Sequence, residues 1–160
     1  MEDVPFTKTG YKSLKRELLR LKQEDRIKIS DEILKARELG DLSENAEYHA
    51  AKEKQGIIEA RIRDLEDKLS RAHVIDPAKL KGNRVVFGAT VEILDLDSGD
   101  AITYQIVGAE ESDLKEGKIS FESPIARALI GKEPGDEVKV NTPRGTKEYE
   151  IISVRFIAST

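Results

Sequence analysis

Two carboxylates three residues apart, Asp41 and Glu44, lie in the stretch Gly40-Asp41-Leu42-Ser43-Glu44-Asn45-Ala46-Glu47-Tyr48-His49-Ala50-Ala51-Lys52. If a helix starts here, that spacing puts the two side chains on neighbouring positions with Cβ atoms about 5–6 Å apart, and two carboxylates so placed can share a cation. Mg²⁺ asks for near-octahedral oxygen coordination and commonly takes only one or two carboxylates, with waters and substrate phosphates completing the shell. Alone, this pair binds it weakly. The same spacing also has a purely structural use. Asp at an N-cap with Glu three positions later resembles a capping box, and carboxylates at a helix N-terminus gain about 0.3–1 kcal/mol from the dipole. Both uses can coexist at the same two residues. His49 and His73 are far apart along the chain and lack a ligand partner at matching spacing, so they read as surface or structural residues.

The acidic stretch connects two long segments that read as amphipathic helix. Over roughly residues 10 to 39, Leu14, Leu18 and Leu21 form an apolar stripe, and Ile29, Ile33 and Ala36 continue it after one skipped step. Such a phase shift resembles a stutter and locally relaxes a supercoil. In the second segment Tyr48, Ala51, Gln55, Ile58, Ile62, Leu65, Leu69 and Ala72 alternate steps of three and four. A connection of a few residues makes neighbouring helices run back along each other. At about 1.5 Å per residue, a helix of about 30 residues extends on the order of 45 Å. The alternative is half of an ordinary helical bundle, but each helix offers one narrow apolar stripe and leaves little for a third helix to cover.

The pattern changes near residue 75. Before it there are 16 basic and 16 acidic residues, and after it 11 and 15. The segment Val74 to Gly82, with Asp76-Pro77 and Lys81-Gly82-Asn83, ends the helix and supplies a linker. Strand-like runs follow at Arg84–Phe87, Thr90–Leu94, Ile102–Val107, Ile119–Phe121, Glu137–Val140 and Glu148–Val154, with turn residues at Asp97–Asp100, Glu133–Asp136 and Pro143–Gly145. One helix interrupts them: Ser123 is a suitable N-cap, Pro124 a first helical residue, and Gly131 lies beyond the end. The expected fold is α+β: an N-terminal antiparallel α-helical coiled-coil hairpin over residues 1–76, then an antiparallel β-sheet domain with a short helix over residues 77–160.

With 27 Lys and Arg against 31 Asp and Glu, the net charge is −4, which is not the basic excess of a free-standing nucleic-acid binder. Any RNA or DNA contact is therefore local or made inside a larger complex. There is no cysteine, which excludes disulfides and thiolate metal sites and permits a reducing compartment. No uncharged apolar run approaches the roughly 18 residues of a membrane span, and Met1-Glu2-Asp3-Val4-Pro5 has no signal-like character. The expected location is cytoplasmic.

The acidic stretch closely resembles the tip of the Gre transcript-cleavage factors, the GreA type in particular. The likeness continues in order through Ala36-Arg37-Glu38, Ala72-His73-Val74-Ile75-Asp76, Val86-Phe87-Gly88-Ala89-Thr90-Val91 and Ser123-Pro124-Ile125-Ala126-Arg127-Ala128-Leu129-Ile130-Gly131-Lys132. The resemblance implies that the C-terminal domain is FKBP-like and docks on bacterial RNA polymerase, with Ser123 and Pro124 at the docking edge, while the hairpin enters the secondary channel. It implies a non-autonomous cofactor, a monomer when free. Such a factor stimulates the polymerase's own endonucleolytic cleavage of backtracked RNA. Asp41 and Glu44 would help hold a second Mg²⁺ jointly with the polymerase, one ion favouring attack by water and the other stabilising the leaving oxygen. Arg37 and Lys52 correspond to basic positions facing the nascent RNA 3′ end. Lys52 departs from the Arg of some relatives, which keeps the charge but loses bidentate phosphate geometry. Gly40, Leu42, Ser43, Asn45 and Tyr48 complete the tip motif, with Tyr48 assigned to packing first.

Two other functions compete. A channel-binding regulator of RNA polymerase that does not stimulate cleavage could use the same hairpin and docking domain, and the intact Asp41 and Glu44 argue against it. A prolyl isomerase is suggested only by the FKBP-like fold, and fold does not fix function. Such isomerases hold proline in an aromatic-lined pocket, whereas here Phe87, Tyr104, Phe121, Tyr149 and Phe156 are spread over several strands and there is no Trp.

Overall fold

The computed structural model describes residues 2–40 and 44–157. The chain forms two compact units, one of residues 1–2 and 12–72, the other of residues 3–11 and 73–160. This division departs from a single cut after residue 76, because an N-terminal strand returns to the second unit. Strand β1 (Val4–Thr7) pairs with β2 (Ala72–Ile75). Neither strand is evident in the sequence: Pro5 interrupts the first, as an edge strand tolerates, and the second continues the apolar spacing of the helix before it. Glu111 secures the N-terminal segment within this unit. Its carboxylate accepts the Thr7 N–H (2.9 Å), the Thr7 hydroxyl and the Gly108 N–H (2.9 Å).

The first unit is a helical hairpin. Its outgoing arm comprises α1 (Lys8–Arg20) from Lys12 onward, a π-helical turn (Leu21–Asp25) and α2 (Arg26–Arg37), and its returning arm is α3 (Ala46–Ser70). The π turn is the physical form of the skipped apolar step. Leu14 and Leu21 are seven residues apart, Leu21 and Ile29 eight, Ile29 and Ala36 seven again, and all four are buried. A single π turn absorbs one extra residue, so the phase shift is taken up within one turn and not spread along a relaxed supercoil. Opposite these residues α3 buries Ala51, Ile58, Ile62 and Leu65, the last two at 1% and 0% exposure. Ion pairs flank the seam: Lys22–Glu66 (3.7 Å), Arg26–Glu59 (2.8 Å) and Glu32–Lys54 (3.8 Å), with Glu17–Arg61 (2.9 Å) before them. From Lys22 to Glu32 the partner numbers fall along α3, from 66 to 54, as they rise along the first arm, which marks the antiparallel pairing. The Arg26–Glu59 pair is bidentate, and the hydrogen bonds to Arg26 hold the Glu59 carboxyl below its ordinary range.

The second unit is built on a five-stranded sheet of order β5-β4-β3-β7-β6, with β3 at Thr90–Asp95, β4 at Ala101–Val107, β5 at Lys118–Ser120, β6 at Glu137–Thr142 and β7 at Gly145–Arg155. Its pairings are antiparallel except at one edge, where β5 runs parallel to β4. Alternate residues face inward, as the two-residue period of a strand requires. Val91, Ile93, Ile106, Val138, Val140 and Ile151 meet Ala126 and Leu129 of α4 (Pro124–Leu129) in one core. The run Arg84–Phe87 is not a strand. Val85 is fully buried, and it exchanges backbone hydrogen bonds of 2.8 Å with Lys132 and Gly131 beyond α4, which spends its pairing capacity outside the sheet.

Candidate functional site

The closed end of the hairpin is organised by Asn45. With φ −89° and ψ 98°, Asn45 is the N-cap of α3, and its Oδ1 accepts the Tyr48 N–H at 3.0 Å. This replaces the capping arrangement expected of Asp41 and Glu44. The helix begins at Ala46, so Glu44 lies ahead of it and outside its first turn. Asn outranks most residues at this position because its short side-chain oxygen reaches the unpaired N–H groups of the first turn. The signal was present in the sequence: Asn45 stands directly before a segment with Glu47 in its first turn, the usual acidic start of a helix.

Asn45 also reaches across the hairpin, its Nδ2 donating to the Ala36 carbonyl at 2.6 Å. Between these two anchors lie Arg37, the last residue of α2, and Gly40, whose φ of +134° suits a residue without a side chain. Arg37 and Glu44 are both exposed. Asp41, Leu42 and Ser43 lie outside the described residues. On α3, Tyr48 is half-buried and meets the His49 ring edge-on at 5.6 Å between centroids. Lys52 is exposed, its ammonium donating to Gln55 Oε1 at 3.1 Å. The structure thus brings Arg37, Gly40, Glu44, Asn45 and Tyr48 to one end of the hairpin and sets Lys52 about two turns along the returning arm.

Residues 4–74 match the family described as Transcription elongation factor, N-terminal, and residues 80–156 match Transcription elongation factor, GreA/GreB, C-term. The chain belongs to the GreA/GreB family. Transcription elongation factor GreA of Thioalkalivibrio sulfidiphilus is 57% identical over 158 residues, covering 98% of this chain and all of that one. The factor of the same name from Anaeromyxobacter sp. is 60% identical over 157 residues, covering 98% and 95%. Among solved structures, the GreA factor homolog 1 (Gfh1) of Thermus thermophilus is 32% identical, with 96% of this chain and 99% of that chain covered and a TM-score of 0.44.

The GreA/GreB C-terminal region contains the second predicted site. Ser123 caps α4, its hydroxyl accepting the Ala126 N–H at 3.3 Å and donating to the Ser120 carbonyl at 2.7 Å, and Pro124 follows as the first helical residue, exposed. A groove of about 540 Å³ reaches Ser123, lined among others by Asp113, Leu114, Lys118 and Ile119. Leu114 is 76% exposed there. Among the described residues, no three His, Asp or Glu side chains are grouped so as to hold a metal ion, and no helix is long and apolar enough to cross a membrane.

Proposed function

We propose that this transcription elongation factor acts on RNA polymerase by placing the closed end of its hairpin in the secondary channel, where it stimulates the polymerase's own cleavage of backtracked RNA. The observation that carries the reading is the family match across both units, together with an exposed Glu44, three residues after Asp41 in the sequence, at the end of a long antiparallel hairpin. In this reading the chain is no enzyme by itself. An exposed carboxylate with no three ligands grouped to hold a metal ion among the described residues suits a metal site completed by another protein, since Mg²⁺ accepts one or two carboxylates and takes its remaining oxygens elsewhere. Asp41 and Glu44 would hold Mg²⁺ jointly with polymerase groups, and the ion supplies Lewis-acid stabilisation of charge at the attacking and leaving oxygens.

The chain's own residues deliver and orient. The paired arms carry the carboxylates to the reacting phosphodiester, and the exposed cations of Arg37 and Lys52 contact phosphates of the extruded RNA 3′ end, fixing its position without reading its sequence. Ser123 and Pro124, with the groove beside them, dock on the polymerase.

The test is transcript cleavage in stalled, backtracked polymerase complexes with Asp41→Asn and Glu44→Gln. Glu44 precedes the helix and Asn45 holds the cap, so neutralising Glu44 leaves the hairpin folded. The expected result is that both variants bind polymerase and lose cleavage stimulation. Wild-type protein that binds without stimulating cleavage would overturn the proposal in favour of a regulator that only occupies the channel. Ser123→Ala and Pro124→Ala are expected to raise the factor concentration needed for half-maximal cleavage and to leave the maximal rate intact.

A further inference from the structure

Every tip residue assigned a role above, except Lys52, falls in the segment between two backbone anchors that a single side chain joins. Asn45 Oδ1 accepts the Tyr48 N–H at 3.0 Å, while Nδ2 donates to the Ala36 carbonyl at 2.6 Å. Only this orientation of the amide satisfies both partners, because the Tyr48 nitrogen is a donor and the Ala36 oxygen an acceptor. The Ala36 oxygen also receives the Leu39 N–H at 3.1 Å, so Asn45 occupies its second lone pair in the last turn of α2. Ala36 is itself 4% exposed in the hairpin seam, and Tyr48 is half-buried, so both anchors stand on packed helix.

We propose that Asn45 is a positioning residue for transcript cleavage: it clamps the two arms together and fixes where the Glu44 carboxylate leaves the hairpin. This rests on the cleavage reading above. The two jobs of the side chain can be separated chemically. Asp and Ser cap a helix about as well as Asn. An aspartate, however, has no N–H to donate and turns a negative oxygen toward the Ala36 carbonyl, and serine is too short to reach both partners. Either replacement keeps the start of α3 and removes the tie to α2. Glu44 is joined to Asn45 by a peptide bond, so loss of the tie frees the backbone from which the carboxylate projects. A reacting group misplaced by about 1 Å can cost on the order of 100-fold in rate.

The experiment measures cleavage in backtracked polymerase complexes for wild type, Asn45→Asp and Asn45→Ser, titrating first the factor and then Mg²⁺. Both variants should keep the helical circular dichroism of wild type and reach half-maximal effect at the same factor concentration within about twofold. Their maximal rate should fall about tenfold or more, with more Mg²⁺ needed for half-maximal rate, because the loss is in the reacting arrangement and not in binding. If either variant reaches the wild-type rate at saturation, the clamp does not position the carboxylate and the proposal fails. It fails equally if the variants lose helicity in proportion to activity, since Asn45 is then a structural cap. Wild-type protein that stimulates no cleavage would instead sink the cleavage reading, and this role with it, before any variant is compared.

Discussion

Deleting Gln23 should leave the hairpin folded, because the residue belongs to a turn that already contains one too many. The buried spacing of seven, eight and seven between Leu14, Leu21, Ile29 and Ala36 becomes an unbroken heptad when one exposed residue of the π turn Leu21–Asp25 is removed. The π turn then closes as ordinary α-helix, and Ile29 and Ala36 keep their faces. The ion pairs on either side of it, Glu17–Arg61 and Arg26–Glu59, survive. The net change in stability is within about 0.5 kcal/mol, the range of an exposed surface substitution. Were the extra residue not the cause of the π turn, the deletion would rotate all of α2 by about 100°. That would bring Ile29, now 2% exposed, into water, a loss of roughly 1.5–3 kcal/mol for this side chain alone. Deleting Glu53 from the regular α3, between the buried Ala51 and Ile58, is the control that must incur such a rotation. Urea unfolding followed by the helical signal separates the cases: with slopes of about 1–3 kcal/mol per molar, the control midpoint drops by roughly 0.5–3 M while the Gln23 deletion stays near wild type. Equal drops for the two deletions would refute the reasoning.

Two further outcomes concern the second unit. Asp95 is 4% exposed and accepts backbone N–H groups from Asp97 and Ser98 and the Lys147 ammonium, and in that order these hold its carboxyl below the ordinary value of 3.8. A depressed folded value means that its contribution is complete above about pH 4 and is lost as pH falls through the lower folded value, so Asp95→Asn should flatten that part of the acid-unfolding curve while leaving the turn bonds in place. At Gly10 a Cβ would lie 2.0 Å from the Glu111 carboxyl, which three hydrogen bonds hold in place. Gly10→Ala and Glu111→Ala should each destabilise by on the order of 2 kcal/mol in thermal unfolding. The double variant should cost far less than the sum, because removing Glu111 also removes the clash; additive losses would show that the carboxyl is not what Gly10 accommodates.

Much of the architecture was legible before any coordinates. Apolar residues at steps of three and four can only be buried together as helix, and the short connection after Gly40 leaves the arms no option but to return antiparallel. The turn residues and Ser123-Pro124 located the strands and the short helix because those residue types prefer specific backbone geometries regardless of context. The skipped step between Leu21 and Ile29 was visible as a phase error. That it becomes a π turn was decided by packing against Ile58, Ile62 and Leu65, since only a local extra residue lets both halves of the arm keep facing α3. Pairing between residues distant in sequence was not legible, because nothing local in Val4–Thr7 specifies a partner near residue 74, and Val85 bonds to the segment after α4 although it reads as strand. At the tip, the sequence determined which chemistry was on offer, two carboxylates with cations nearby. Tertiary structure decided what ties the two arms together there. Spacing alone gave the cap to Asp41, whereas the folded hairpin gives it to Asn45, because only the approach of α2 brings the Ala36 carbonyl within reach of an amide that can donate and accept at once.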